Sequence, residues 1–448
     1  ISMEKSEETD IDLRHPELWD EPDHIRREMV RTMSHIYCHG MTTISGGNIS
    51  VIDSIGNIWI TPSGTDKGSL KPEEVVCVAP DGVFEGPQKP SMEYPLHRAV
   101  YDARPDIRAM IHAHPPLLTS FSILHQIPDT SVINEWRQIC GQVGYAAYAI
   151  PGSMAMGQNV AEEFMKGHDA VIMENHAIVA GGKDLAEALA RLEALEFCAT
   201  TLHAATALGE ISIPDHAQND NPELPAGSQL PPPGPGLHPG ETDSALTPEE
   251  EQLADEICRM ASRACDRGLM YGFCGTVSAR AAGDRFLITR ERVLRCDIRK
   301  TGIAGTDNTG TGLNTWLHVE IYHRLPSVNA VIMARPPWLM AFAVTAKEID
   351  VRTIPESWIL LQELPLLPLQ ALQQGRGEIF DMLAGGIPAL MIANDSVIVT
   401  GESLMQAFDR LEVAEMTAMS LILGKSLGSV SPLSDANIDE LRRVFFSK

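Results

Sequence analysis

Apolar positions recur at helical spacing in two places in the first half of the chain. One is residues 24 to 39. The other is 183 to 207, where Leu185, Ala188, Leu192 and Leu195 fall on one stripe. Between them lie short β-type runs: Ile58-Trp59-Ile60-Thr61, Val75-Val76-Cys77-Val78, Ala109 to His112, Ala170 to Met173 and Ala177 to Ala180. Helices at both ends with many strands between predict helices packed on a central sheet, α/β or α+β. Residues 222 to 240 lose all periodicity; their seven prolines and four glycines predict an extended spacer that buries no core. Beyond the spacer, Thr247-Pro248-Glu249-Glu250 has the form of a helix start, with Thr247 as N-cap and Glu250 closing a capping box. The chain is thus expected to divide into units at 20–212 and 246–448 joined by a Pro/Gly-rich linker at 213–245, each unit of ordinary domain size.

The two halves carry the same text. Ala109-Met110-Ile111-His112-Ala113-His114-Pro115-Pro116 matches Ala330-Val331-Ile332-Met333-Ala334-Arg335-Pro336-Pro337. Leu96-His97 pairs with Leu317-His318, Tyr101 with Tyr322, Arg191-Leu192-Glu193 with Arg410-Leu411-Glu412, and Glu196 with Glu415. Gly40, Gly47 and Ser50 pair in the same way with Gly268, Gly275 and Ser278. The sequence therefore predicts one fold used twice.

Composition limits what such a fold can do. The 448 residues hold 35 Lys+Arg against 60 Asp+Glu, a formal charge of −25 that opposes binding to a phosphate backbone and argues against a nucleic-acid partner. No apolar run reaches the ~20 residues that span a bilayer, and no charged-then-apolar leader is expected. The eight cysteines are scattered without a CxxC pair, the usage expected of reduced thiols in a cytoplasmic protein.

His112 and His114, two apart on a predicted strand end, leave the same face and can share one metal ion. His176, in Glu174-Asn175-His176 after another strand, supplies a third imidazole, and Glu93 a carboxylate that could serve as ligand or base. Three histidines with one exchangeable position suit zinc or another divalent metal. The second half has Met333, Arg335, Asp395 and Asn314 at these four positions while neighbouring residues persist, so the loss is specific to the candidate ligands. His97 persists as His318 and reads as structural. Ser45-Gly46-Gly47-Asn48-Ile49-Ser50, Thr61-Pro62-Ser63-Gly64 and Ser91 are small polar sites open to a phosphate or carboxylate. The second half replaces them with Thr276 and Arg290-Glu291-Arg292, which confines ligand binding to the first half.

SGGNIS, ITPSG, PSMEYPLH, IHAHPP and ENHAIVAGG, in this order and spacing, resemble the class II aldolase/adducin family, the fuculose-phosphate-type aldolases in particular. The second half resembles a degenerate copy. The resemblance implies a three-layer α/β/α unit around a largely antiparallel sheet, with zinc on His112, His114 and His176. It implies Glu93 as ligand and catalytic base, and Gly47, Asn48, Ser63, Gly64 and Ser91 as a phosphate pocket. Ala177 stands where the family commonly has glycine. No tyrosine matches the family's proton donor, and Glu135 is the residue nearest to its place. The implied activity is zinc-dependent aldol cleavage of a small sugar or hydroxy-ketone through an enediolate. The family also holds epimerases, which generally carry Asp at the place of Glu93, a dehydratase, decarboxylases, and adducin-type members that assemble rather than catalyse. Family rings of four units imply a homo-oligomer here, two tandem chains forming a pseudo-tetramer.

Overall fold

The computed structural model describes residues 20–85, 87–213, 241–242, 246–283, 285–306, 315–372 and 377–446. In the first half the elements are α1 (Pro22–Cys38), β1 (Asn48–Ile52), β2 (Ile58–Ile60), β3 (Val76–Val78), β4 (Phe84–Glu85), α2 (Tyr94–Ala103) and β5 (Ala109–Ala113). There follow α3 (Pro116–Ile123), α4 (Asn134–Cys140), β6 (Val143–Ala146), α5 (Met154–Met165), β7 (Ala170–Met173), β8 (Ile178–Gly182) and α6 (Leu185–Ala205). The second half begins with β9 (Glu241–Thr242), α7 (Pro248–Asp266), β10 (Thr276–Arg280), β11 (Phe286–Thr289), β12 (Ile303–Thr306), α8 (Thr315–Arg324) and β13 (Ala330–Ala334). It continues with α9 (Pro337–Val344), α10 (Pro355–Leu361), β14 (Leu366–Leu367), α11 (Glu378–Ala384), β15 (Ala389–Ile392), β16 (Ser396–Gly401), α12 (Leu404–Lys425) and α13 (Asp435–Phe445).

Among the described residues there are two eight-stranded sheets, ordered β4-β3-β2-β1-β5-β8-β7-β6 and β14-β15-β16-β13-β10-β11-β12-β9. Seven equivalent strands run in the same order in both, while the eighth differs in origin, β4 following β3 in the chain and β9 preceding α7; each sheet has a single parallel pair, β6 with β7 and β14 with β15. Strand alternation divides each sheet between two layers. Ile58, Ile60, Met110, Val171 and Val179 pack under α2 and α5, while Trp59, Ile111, Ile172 and Ile178 face α1, α3 and α6. This is the expected α/β/α layering, present twice.

The inner layers of the two copies form one continuous core. Leu192, Leu195 and Ala199 of α6 share a cluster with Leu339 and Ala343 of α9 and with Leu411 and Ala414 of α12. The Thr247 capping box forms as expected: Glu250 N–H donates to Thr247 Oγ1 at 3.3 Å and Thr247 N–H to Glu250 Oε2 at 2.9 Å. The expected linker lies outside the described residues apart from Ile213 and Glu241–Thr242, and the latter pair with β12 as an edge strand. Asn314 also lies outside them. Among the described residues no helix is long and apolar enough to cross a membrane.

Glu196 and Glu415 show why a repeated residue need not be a functional one. Glu196 accepts from the N–H groups of Leu117 and Leu118 at 3.1 and 3.0 Å, and Glu415 from those of Trp338 and Leu339 at 2.9 and 2.8 Å. Each carboxylate thus serves the orphan donors of a helix that opens Pro-Pro. Lys67 belongs to the same class. Its ammonium donates to Pro62 O at 2.8 Å, and in the copy Arg295 Nη1 donates to Arg290 O at 2.9 Å, each fixing the same loop.

Candidate metal centre

Register places the first members of the site. β1 pairs with β5 so that Asn48 lies opposite His112, and β5 pairs with β8 so that His112 lies opposite Val179. His114 follows the end of β5, just before Pro115-Pro116 opens α3. His176 sits in the tight turn between β7 and β8, where Asn175 adopts φ of 51°, a left-handed conformation that Asn tolerates. Asn394 takes φ of 56° at the equivalent turn, so the turn belongs to the fold and the histidine to this copy alone. Glu93 precedes α2, its N–H donating to Ser91 Oγ at 3.3 Å.

These elements bring the three imidazoles together. The ring centroids are 4.7 Å (His112–His114), 4.9 Å (His112–His176) and 5.3 Å (His114–His176) apart. One ring nitrogen from each lies within 4.8 Å of the other two. Glu93 Oε2 stands 3.1 Å from His112 Nε2, and Oε1 stands 3.7 Å from His176 Nε2. His112 Nδ1–H donates to Ile178 O at 3.0 Å, which leaves the lone pair on Nε2 facing the cluster. Buried His112 Nε2 and His114 Nδ1 both lack a properly aligned hydrogen-bond partner. Buried orphan nitrogens in a three-imidazole, one-carboxylate set fit a divalent metal of the zinc type.

The electrostatics divide the three rings: against its burial, Glu93 pulls the His112 pKa up, while the other two are held down. Burial, helped by His112 and His176, pushes His114 down to about 3, and burial with His112 also lowers His176, so both rings are held neutral as ligands require. Burial opposes charge on Glu93, but the His112 ring, the Asn48 amide and His176 outweigh it and hold the carboxyl well below its ordinary range. The Asn48 amide donates to Glu93 Oε2 at 2.7 Å. His97 in turn bonds Asn48 Oδ1 through Nε2 and Ser50 Oγ through Nδ1, the latter at 2.6 Å. His97 is therefore structural, as its survival in the copy indicates: His318 joins Thr276 and Ser278 at 2.8 and 2.6 Å. It also orients the amide that holds Glu93. Repetition hid that role, because only the exchange of Asn48 for Thr276 separates the two versions.

The small polar residues gather on neighbouring loops. Ser63 N–H donates to Lys89 O at 3.0 Å and Ser91 N–H to Thr61 O at 3.2 Å, while Lys67 N–H donates to Ile44 O at 2.9 Å beside the glycine segment. Ser63 and Gly64 are exposed, and Ser91 and Asn48 are buried. Gly47, at φ of 67°, leaves no room for a side chain: a Cβ there would stand 2.7 Å from His112 O. A Cβ on Gly46 would stand 3.1 Å from His114 Nδ1. Gly47 lets the chain close against the backbone of β5, and Gly46 against the His114 imidazole.

Glu135 is the exception. The carboxylate of this expected proton donor lies 2.6 Å from Arg335 Nη1 in the second half. Arg335 occupies the position of His114 and also lies 3.6 Å from Asp395, the counterpart of His176. Beside it Trp136 donates to Tyr271 OH. The second copy's site is thus filled by a guanidinium and plugged by α4 of the first. A sequence pattern could not reveal this, because the pairing partners lie 200 residues apart in different copies.

The fold and cluster define an α/β protein with one three-imidazole, one-carboxylate centre in a twice-used unit. The chain belongs to the class II aldolase and adducin family, whose Class II Aldolase and Adducin N-terminal domain matches residues 27–203 and 255–422. It is 33% identical over 176 residues to the 3-oxo-tetronate 4-phosphate decarboxylase of Escherichia coli strain K12, covering 38% of this chain and 82% of that protein. To the 5-deoxy-D-ribulose 1-phosphate aldolase of Bacillus thuringiensis serovar kurstaki it is 32% identical over 199 residues, covering 44% and 92%. Among solved structures an L-fuculose 1-phosphate aldolase is 32% identical with a TM-score of 0.40, covering 43% of this chain and 91% of that one.

Proposed function

We propose that the first half is a metal-dependent lyase that cleaves or forms a carbon–carbon bond next to the carbonyl of a small phosphorylated sugar derivative. The observation that carries this reading is the convergence of His112, His114, His176 and Glu93 in one copy of the fold and their replacement in the other. The phosphorylated substrate class follows the relatives, which act on sugar phosphates. Gly47, Asn48, Ser63, Gly64 and Ser91 border the loops where neutral donors could receive a phosphate without adding charge to an acidic chain.

His112, His114 and His176 would hold the metal, with the Glu93 carboxylate beside them. A bound divalent cation, zinc by ligand preference, supplies Lewis-acid polarisation of the substrate carbonyl. Glu93, kept ionised by His112 and Asn48, takes the hydroxyl proton of the departing fragment as the carbon–carbon bond breaks. The bond's electron pair moves onto the carbonyl-bearing fragment as an enediolate, and Glu93 returns the proton to its carbon. Asn48 and His97 hold the carboxylate in place for both transfers.

Similarity to a decarboxylase at the same level as to an aldolase supports a second reading, in which carbon dioxide leaves in place of an aldehyde. Zinc-loaded protein is offered phosphorylated ketoses and a phosphorylated 3-oxo acid, and the released fragment is identified. Aldehyde release supports aldol cleavage, carbon dioxide supports decarboxylation, and a chain that binds no metal would end both readings.

A further inference from the structure

The three imidazoles are not held alike. His112 lies inside β5, laddered on both sides, and His114 N–H donates to Met41 O at 2.9 Å directly after it. His176 has no strand under it, and the turn from Glu174 to His176 sets where its ring stands. That turn is closed by its own backbone, His176 N–H donating to Met173 O at 3.1 Å, and it is tied to the segments on either side. On one side Glu174 N–H donates to Ala146 O at 2.9 Å, and Glu174 Oε2 accepts from Tyr148 N–H at 2.8 Å. On the other, Asn175 N–H donates to Ser122 O at 3.3 Å. There His125, at φ of 55° beyond α3, bonds Asn175 Oδ1 through Nε2 at 3.0 Å, and its Nδ1 stands 3.4 Å from Glu174 Oε1.

The second copy shows which of these ties the turn itself needs. The backbone bonds recur: Ala393 N–H donates to Leu367 O at 2.8 Å and Asp395 N–H to Ile392 O at 3.2 Å. The left-handed residues recur as well, Asn394 at φ of 56° and Ala346 at 50°. The side-chain ties do not. Ala393 stands for Glu174 and Ala346 for His125, while the Asn394 amide donates instead to Val132 O and Ser212 O at 2.9 and 2.7 Å. The turn therefore forms without the carboxylate and without the second imidazole, and the pair occurs in the copy whose turn carries a candidate metal ligand. Stability does not account for it either. The His125 side chain is 52% exposed, and such a pair contributes only about 0–1 kcal/mol.

We propose that Glu174 and His125 are positioning residues of the metal centre, a clasp that holds the His176 imidazole against His112 and His114. The proposal rests on the reading of that cluster as a metal site. Neither residue belongs to the three-imidazole group itself. Bonds from zinc to imidazole nitrogen are about 2.0–2.1 Å long, so a ring left to swing with its turn loses affinity while the protein stays folded. Glu174 reaches further. Through Tyr148 N–H it fixes the loop after β6, and that loop folds back at Gly152, at φ of 78°. A Cβ on Gly152 would stand 2.8 Å from the Met92 side chain and 2.9 Å from Met92 O. Met92 adjoins Glu93, so one carboxylate braces both the turn of the third imidazole and the loop packed on Glu93's neighbour.

Cobalt(II) added to the metal-free full chain is the probe. Its affinity is read by competition with a chromophoric chelator, and its visible d–d absorption reports the ligand geometry. Glu174→Ala and His125→Ala should each weaken cobalt(II) binding about 10- to 100-fold and change the absorption band. The urea midpoint of the metal-free protein should stay nearly unmoved. Glu174→Gln, which keeps an oxygen for Tyr148 N–H, should restore most of the affinity. Unaltered affinity and spectrum in both alanine variants overturn the proposal. So does an affinity loss that comes with a lower urea midpoint and an unchanged spectrum, because a merely structural contact would do the same. An unaltered chain that binds no cobalt(II) overturns the metal reading itself and the clasp with it, a failure seen before any variant is made.

Discussion

Arg335 Nη1 lies 2.6 Å from Glu135 Oε2, so the position that offers an imidazole in the first copy holds in the second a buried cation neutralised from the other half of the chain. Desolvation alone would disfavour that cation; Glu135 and Asp395 keep Arg335 charged. Glu135→Gln should therefore destabilise the fold by about 3 kcal/mol, the cost of leaving one partner of a buried pair. Denaturant unfolding measures it. Zinc content and turnover of the folded fraction should be unaltered, and a selective loss of turnover would restore Glu135 as a proton donor.

His112→Ala or His114→Ala should remove stoichiometric zinc, read by elemental analysis of dialysed protein. The equivalent change Met333→Ala in the second copy should leave the metal untouched and cost only packing, about 2–5 kcal/mol for a buried methionine.

Asn48→Ala removes the amide that holds Glu93 and should lower turnover about 10- to 100-fold, the usual effect of losing a partner that orients a ligand. The zinc content should persist, which separates this from the histidine variants. Thr276→Ala at the equivalent place should leave turnover unchanged.

Burial pushes the Glu415 carboxyl up from its usual 4.5 to about 8, against the pull of the Trp338 and Leu339 N–H groups. The folded chain then binds more protons than the unfolded one between pH 4.5 and 8, so this group's stabilisation is full below that window and is lost across it as pH rises. The slope is at most about 1.4 kcal/mol per pH unit. Glu196, raised to about 7, adds a parallel slope over a narrower window. Urea midpoints at several pH values should show Glu415→Gln gaining on the unaltered chain as pH rises; parallel curves would contradict the assignment.

Much of this was legible in the amino-acid text because it is local or repeated. The stripe through Leu185, Ala188, Leu192 and Leu195 gives α6, and the Thr247 capping box gives the start of α7. The replacement of His112, His114 and His176 in a copy that keeps their neighbours isolates the cluster that the folded chain assembles. What escaped depends on contacts with no local signature. Glu135 sits near its expected place in sequence, yet its direction is set by Arg335, a partner with no local signature. His97 looks inert because its twin survives, and only the hydrogen bond to Asn48 ties it to Glu93.

The inner faces of both sheets drain into a single apolar interior, with α6 and α9 pressed across the midline. Pulling the two halves apart would therefore bare that interior on both rather than release two self-sufficient units. The copy that surrendered its imidazoles stays indispensable as ballast, and selection can erase its chemistry indefinitely without being able to discard its shape.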